Sequence, residues 1–189
     1  MRYILASRSQ ARAELLRAAG YKFEQHPSRV DERAYRPGED PGLYAEELAR
    51  EKALAVAARF PDALILAADT CLYLNGRTYG KPESLDDAVD MLTELGGHTH
   101  LLISGVYVIA PSGRAHYSGH DTVHVTMRHW SRSQLKKHVA IAQPLAYAGA
   151  YALQREGAAL VTHMEGDPNT VIGLPLTMVA NFVEQATAD

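Results

Sequence analysis

Apolar and polar positions follow two different periods along this chain of 189 residues. Arg2 to Ala6 reads as a short apolar strand, Ser7 to Ser9 as a turn, and Ser9 as the N-cap of a helix that Gly20 stops. His26 to Gly42, rich in Pro, Gly and charge, reads as a loop. Tyr44 to Phe60 carries Ala45, Leu48, Ala49, Ala53 and Val56 on one face, which predicts a helix closed by Pro61 and Asp62. Ala63 to Ala68 is continuously apolar, as in a strand buried on both faces, and Asp69 follows directly. Leu72 to Tyr79 predicts a hairpin around Asn75-Gly76, and Ser84 or Leu85 to Leu95 a helix closed by Gly96-Gly97. Two longer strands are expected between His100 and Thr126 around Pro111 to Gly113, then a helix from about Ser131 to Ala140. Gly149 to Gln154 and Ala159 to Met164 read as strands, and Pro175 to Gln185 as a closing helix. Helices alternate with single strands early and hairpins follow later. The expected fold class is therefore α/β (mixed α+β), a mixed sheet with flanking helices and not an all-parallel one.

Composition changes that picture little. The chain is 47% hydrophobic and 22% charged, ordinary globular values, and its length favours one domain or two small lobes. A net charge of -3 leaves no basic footprint for nucleic acid, although a small anion needs only a local positive pocket. The lone Cys71 excludes an internal disulfide and fits a reducing compartment, and no apolar run approaches a membrane span. A cytoplasmic protein with no membrane partner is the expectation. Nine histidines raise the question of zinc. Their clusters, His98 with His100 and His120 with His124 and His129, fall on predicted strands and turns, not at i and i+4 of a helix, which argues against such a site. There is no glycine-rich P-loop, and a strand or turn role suffices for Ser104-Gly105.

Several polar residues stand where packing alone does not want them. Arg12 falls in the first turn of the first helix, where unpaired N–H groups and the positive end of the helix dipole already attract anions. It is either a solvated surface arginine or part of an anion cradle. Lys52 lies in the apolar stripe of the second helix, so its ammonium either snorkels outward or meets a partner in a cleft. Asp69 at the mouth of a buried strand must meet a cation or cap the following turn. Asp31 and Glu32 form an acidic pair in the long loop, and Lys81 sits in a Gly-Lys-Pro turn. Acids near a strand end, two lysines and a helix-terminal arginine are together what a metal-dependent phosphoanhydride site requires.

Six ordered blocks carry a family resemblance: LASRSQARAELL, RVDE, LAREKA, AADT with GKP following, AGAYALQ, and EGDPNTVIGLPL. On these the chain resembles the Maf-like nucleoside triphosphate pyrophosphatases from Ile4 to nearly its end. The resemblance implies one Maf-like domain over residues 1–189, Maf/ITPase-like and elongated, with a nucleotide cleft between two lobes. It implies hydrolysis of a nucleoside triphosphate between its α and β phosphates with a divalent cation, Mg²⁺ or Mn²⁺. Ser7, Arg12, Lys52 and Lys81 would hold phosphate, Asp69 would be the proton acceptor, and Glu32 would help Asp69 to bind the metal. A homodimer stays open.

The departures concern base choice. The resemblance associates three positions with it: Arg, Thr and Gln in the branch acting on dTTP and UTP, and Trp, Gln and Glu in the branch acting on 7-methyl-GTP. This chain has Ala11, Thr70 and Gln154, so two positions side with pyrimidines and one with neither branch. Gln10 and Ala11 replace a usual proline and its bulky neighbour, and Ala146-Tyr147 stands where the pyrimidine branch has Asp-Lys. DPNTVIGLPL and RHWS around Trp130 look more like the methylguanosine branch. A dTTP or UTP pyrophosphatase is expected. The alternatives are a 7-methyl-GTP or other modified-nucleotide enzyme, and a weakly catalytic nucleotide-binding regulator of division.

Overall fold

In the computed structural model, which describes residues 1–153 and 155–188, strand β1 (Tyr3–Leu5) turns into helix α1 (Gln10–Ala18) through Ser9. The Ser9 hydroxyl accepts from the Arg12 backbone N–H at 3.3 Å, satisfying one of the free donors of the first turn. After the two-residue strand β2 (Glu24–Gln25), helix α2 (Pro41–Ala57) starts at Asp40, whose carboxylate accepts from the N–H groups of Gly42 and Leu43. Pro41, which has no N–H to leave unpaired, occupies the first helical turn. Strand β3 (Leu64–Leu74) and strand β4 (Arg77–Tyr79) form the hairpin predicted at Asn75-Gly76. Helix α3 (Leu85–Leu95) is capped by Ser84, and helix α4 (Arg132–Ala142) by a reciprocal Ser131–Gln134 capping box. Strands β5 (Thr99–Ile109) and β6 (His116–Met127) lie between them. Strand β7 (Val161–Glu165), the short helix α5 (Pro168–Ile172) and helix α6 (Leu176–Thr187) complete the order.

The seven strands make one mixed sheet, β2-β1-β3-β5-β6-β7, with β4 added to β3. Pairing of β1 with β2 and β3 is parallel and the rest is antiparallel, as expected from helices early and hairpins late. One edge of β3 is shared. Leu64 to Leu66 pair with β1 and Leu72 to Leu74 with β4, so no strand pairs with residues 67–71 on that side. The opposite edge pairs with β5 from Ile65 to Tyr73.

Alternation along β3 divides the core. Leu64, Leu66 and Ala68 pack with Leu16, Val106, Leu174 and Val179 towards α1 and α6. Ile65 and Ala67 pack with Ala49, Ala53 and Val56 under α2. Leu72 and Leu74 join a separate core with Leu92, Leu95, Leu135 and Tyr151 at the far end. The helix α2 lies very close to the sheet at Gly105, where an added Cβ would stand 2.4 Å from the Ala45 carbonyl carbon. Only hydrogen fits there, and Gly105 pairs directly with Asp69.

Four expectations need correction. The apolar run from Ala63 does not end before Asp69 but continues through it to Leu74, because pairing with β5 runs on unbroken. Helix α2 begins earlier and ends earlier than predicted, since Asp40 and Pro41 nucleate it. Gly149 opens no strand: Ala148–Ala150 is a 3-10 turn in which Gly149 and Ala150 both take positive φ. Gln154, the end of that predicted strand, lies outside the described residues. The strand expected at Ala159 starts at Val161, behind a 3-10 turn over Glu156–Leu160. The elements β2 and α5 are too short for periodicity to reveal.

Candidate active site

Asp69 and Thr70 lie side by side in the unpaired stretch of β3 and therefore point to opposite faces of the sheet. Asp69 shares its face with α2, where Lys52 lies seven residues beyond Ala45 on the buried stripe. The Lys52 ammonium donates to Asp69 Oδ1 and also reaches Glu32 Oε1 at 2.7 Å. Lys52 does not snorkel; both it and Asp69 are buried. A carboxylate and an ammonium are thus removed from water together, which is tolerable only because each meets the other. Asp69 is not the cap of a turn.

Glu32 comes from the long loop and is half exposed. The loop is anchored on both sides of α2's first turns. The Arg33 guanidinium donates to Glu39 and Glu47, and the Tyr44 hydroxyl donates to the Arg33 carbonyl at 2.9 Å. The Tyr35 ring packs edge-on against Tyr44 and Tyr73. This clamp holds the backbone adjoining Glu32, so the carboxylate is carried by a braced segment. Asp31 is exposed and makes no hydrogen bond or ion pair among the described residues.

The Arg12 guanidinium fills the gap in the β3 edge. It donates to the Ala68 carbonyl at 2.8 Å, the Gly173 carbonyl at 2.8 Å, Thr70 Oγ1 at 2.9 Å and Ser7 Oγ at 3.3 Å. It is therefore not a solvated surface arginine. Nor does it need a bound anion to make a positive helix terminus bearable, because carbonyl oxygens accept its hydrogen bonds and the charges of Asp69 and Glu32 act on it. Ser7 is buried, and Ala11 is half-buried beside Arg12. Lys81 is exposed, with its charge close enough to act on Glu32. The structure thus gathers Glu32, Lys52 and Asp69 in one set of contacts and Ser7, Arg12 and Thr70 in another, the two joined by the Asp69–Thr70 backbone and by the action of the Asp69 charge on Arg12, and it brings Lys81 near.

The electrostatics follow from burial and pairing. Burial pushes the Asp69 carboxyl above its ordinary value; the charges of Lys52 and Arg12 and the Lys52 hydrogen bond oppose it, while Glu32 adds to it. Burial acts in the same sense on Glu32, but its hydrogen bond to Lys52 and the charges of Lys52, Lys81 and Arg12 outweigh it and hold the carboxyl low. The Cys71 thiol, buried near Asp69, is pushed up to about 12 and is no nucleophile at neutral pH.

Two carboxylates converge on one cation here, and their hard oxygens suit Mg²⁺ or Mn²⁺, which need only one or two protein carboxylates when phosphates and water complete the shell. Asp69 and Glu32 fit that role. Among the described residues no group of three or more His, Cys, Asp or Glu is gathered for a metal, and no helix is long and apolar enough to cross a membrane.

Residue patterning did not single out Ser104, Thr170 or Gly173. Ser104, fully buried on β5, meets Thr70 Oγ1 at 2.7 Å and donates to the Thr170 carbonyl at 2.8 Å, and the Thr170 hydroxyl donates to Asp121. The one available signal was a serine in an otherwise apolar strand, Leu101 to Ile109.

The chain is similar to several known proteins. A dTTP/UTP pyrophosphatase of Moorella thermoacetica is 45% identical over 181 residues, covering 95% of this chain and 92% of the relative. One of Koribacter versatilis is 37% identical over 186 residues, covering 98% of this chain and 95% of the relative. Among solved structures, a nucleoside-triphosphatase / dITP/XTP pyrophosphatase from Mycobacterium abscessus overlays with a TM-score of 0.46 at 14% identity, covering 100% of this chain and 96% of that one. The Maf-like protein family matches residues 2–186, and with relatives of this identity over nearly the whole length the chain belongs to that family.

Proposed function

We propose that this protein is a nucleoside triphosphate pyrophosphatase that hydrolyses dTTP or UTP to the monophosphate and diphosphate. The observation that carries the reading is the buried Asp69–Lys52 pair with Glu32 at its mouth and the Arg12 guanidinium alongside. A triphosphate is already activated, so the protein's task is to neutralise charge, place a water and accept its proton. Asp69, whose basicity burial has raised, orients the water and takes the proton as the water oxygen bonds to phosphorus and the bridging α–β P–O bond breaks. Lys52, Lys81, Arg12 and the Ser7 hydroxyl bind phosphate oxygens. Lys52 does so without abandoning Asp69, since an ammonium has three donors. A divalent cation held by Asp69 and Glu32 would supply further neutralisation of the triphosphate. The relatives named dTTP/UTP pyrophosphatase support the pyrimidine preference.

Pyrophosphate release from UTP, dTTP, GTP and 7-methyl-GTP with Mg²⁺ and with Mn²⁺ tests the reading. The two pyrimidine substrates should give the highest kcat/KM, and Ala11→Arg should sharpen that preference. A preference for 7-methyl-GTP above about tenfold, some 1.4 kcal/mol, would reverse the base assignment in favour of the DPNTVIGLPL likeness. Nucleotide binding without release from any triphosphate would make the protein a binding regulator instead.

A further inference from the structure

The face of β3 opposite Asp69 carries a chain of hydroxyl groups whose hydrogens can be assigned by counting. Ser104 Oγ has one hydrogen and gives it to the Thr170 carbonyl. In its 2.7 Å contact with Thr70, Ser104 must then be the acceptor, and Thr70 gives up its only hydrogen there. What remains on Thr70 Oγ1 is lone pairs, and one of them receives the Arg12 guanidinium at 2.9 Å. Towards any partner other than Ser104 the hydroxyl is thereby an acceptor only. Reversed, it would turn its hydrogen towards a cation that can only donate.

The carbonyl end of the chain is equally constrained. Thr170 is fully buried in α5, and its own hydroxyl is tied to Asp121 on β6. Three residues on, Gly173 ends α5 with φ 110 and gives its carbonyl to Arg12 Nε. A Cβ on Gly173 would stand 3.0 Å from both Arg12 Nε and Thr70 Oγ1. One short segment thus touches both ends of the chain, Ser104 through Thr170 and Arg12 through Gly173. That gives the DPNTVIGLPL block a task near the site without requiring it to contact a base.

We propose that Ser104, held by the Thr170 carbonyl, is a positioning residue: by consuming the Thr70 hydrogen it locks Thr70 as an acceptor and fixes the Arg12 guanidinium for phosphate. Residue 70 then influences the substrate through Arg12 and not by donating to the base. This rests on the pyrophosphatase reading, in which Arg12 binds phosphate.

The test compares wild type with Ser104→Ala, Thr70→Val, Thr70→Ser and the Ser104→Ala/Thr70→Val pair. The readouts are kcat and KM for UTP, the affinity for α,β-imido-UTP by calorimetry, and Tm. Ser104→Ala should raise KM and weaken analogue binding by about fivefold, the scale of one neutral hydrogen bond, with a smaller change in kcat. Thr70→Val should do the same, Thr70→Ser should behave as wild type, and the pair should be no worse than Thr70→Val alone. A lowered Tm for Ser104→Ala with KM and affinity unchanged would make Ser104 a fold residue and overturn the proposal, as would fully additive losses in the pair. Should Ser104→Ala fail to fold, Thr70→Val and Thr70→Ser decide, and equal KM values for the two overturn it. A wild type that neither binds the analogue nor cleaves UTP would overturn both readings, whereas an active wild type matched by Ser104→Ala overturns this one alone.

Discussion

Asp69 and Thr70 are neighbours in sequence on opposite faces of one strand, and the two faces bury polar atoms in different ways. Beneath α2 the groups are ionised, and Asp69, Lys52 and Glu32 are held by mutual charge. On the other face Thr70, Ser104 and Thr170 are neutral, and each hydrogen has one destination. The difference lies in what a ligand can do to each. A charged cluster open at Glu32 can take a phosphate or a cation as an extra partner, because Coulombic attraction tolerates more than one geometry. A chain of hydroxyls cannot accept a new donor or acceptor without giving up an existing one, so it serves as a frame. Reacting groups and the frame that aims them are thus separated by the thickness of a single strand.

Asp69→Asn strikes the charged face hardest. It keeps the shape and removes the acceptor, so kcat for pyrophosphate release should fall roughly 10²–10⁴-fold while the far-ultraviolet circular dichroism is unchanged. Retention of most of kcat would move the chemistry away from this face. Lys52→Met should act on both activity and stability, since it leaves a buried carboxylate without its cation, a loss on the order of 3 kcal/mol. Chemical denaturation would show it as a lower midpoint, and a variant as stable as wild type would mean that Asp69 is rescued by Arg12 alone.

The neutral face should respond to pH instead. His100 lies on β5 on the same side as Ser104, fully buried, with Nε2 bonded to the Tyr151 hydroxyl and no partner for Nδ1 among the described residues. Burial pushes its pKa down to about 4 from an ordinary 6.5. Between those values the unfolded chain binds a proton that the folded chain refuses. Stability is therefore fully present above pH 6.5 and is lost as pH falls towards 4, by roughly 3 kcal/mol across the window. Denaturant midpoints measured from pH 7 to 4.5 should show this slope, and His100→Phe should flatten it. The smallest effect belongs to Lys81→Met. Exposed and acting only at a distance on Glu32, Lys81 should leave Tm unchanged and raise KM for the triphosphate by a few fold, about 1 kcal/mol or less as for other solvent-screened charges.

Much of this was legible in the residues because it depends on near neighbours. Ser9, Ser84 and Ser131 announce helix starts through hydrogen bonds made within three residues. Lys52 stood out because an ammonium in an apolar stripe needs a reason, and the reason proved to be Asp69. The segment from Gly149 alternates like a strand, yet its backbone is set by packing: a Cβ at Gly149 would stand 2.3 Å from the Leu72 side chain. Asp69 appeared to follow its strand because a charge normally ends an apolar run, yet a buried cation allows the strand to pass through it.

By itself the sequence determined the longer elements, the serine caps and which polar side chains conflict with the core, all consequences of period and local hydrogen bonding. The tertiary structure alone decided that β1 and β4 leave a gap in the edge of β3, that Arg12 fills it with partners as distant as Gly173, and that Ser104 and Thr170 brace what lies behind. Ser7 apart, the partners of Arg12 lie from 56 to 161 positions away, and the Thr170 carbonyl lies 66 from Ser104. No local periodicity records such a pairing. It arises when strand register and the close approach of α2 at Gly105 bring the groups together, and each then takes the donor or acceptor that burial has denied it from water.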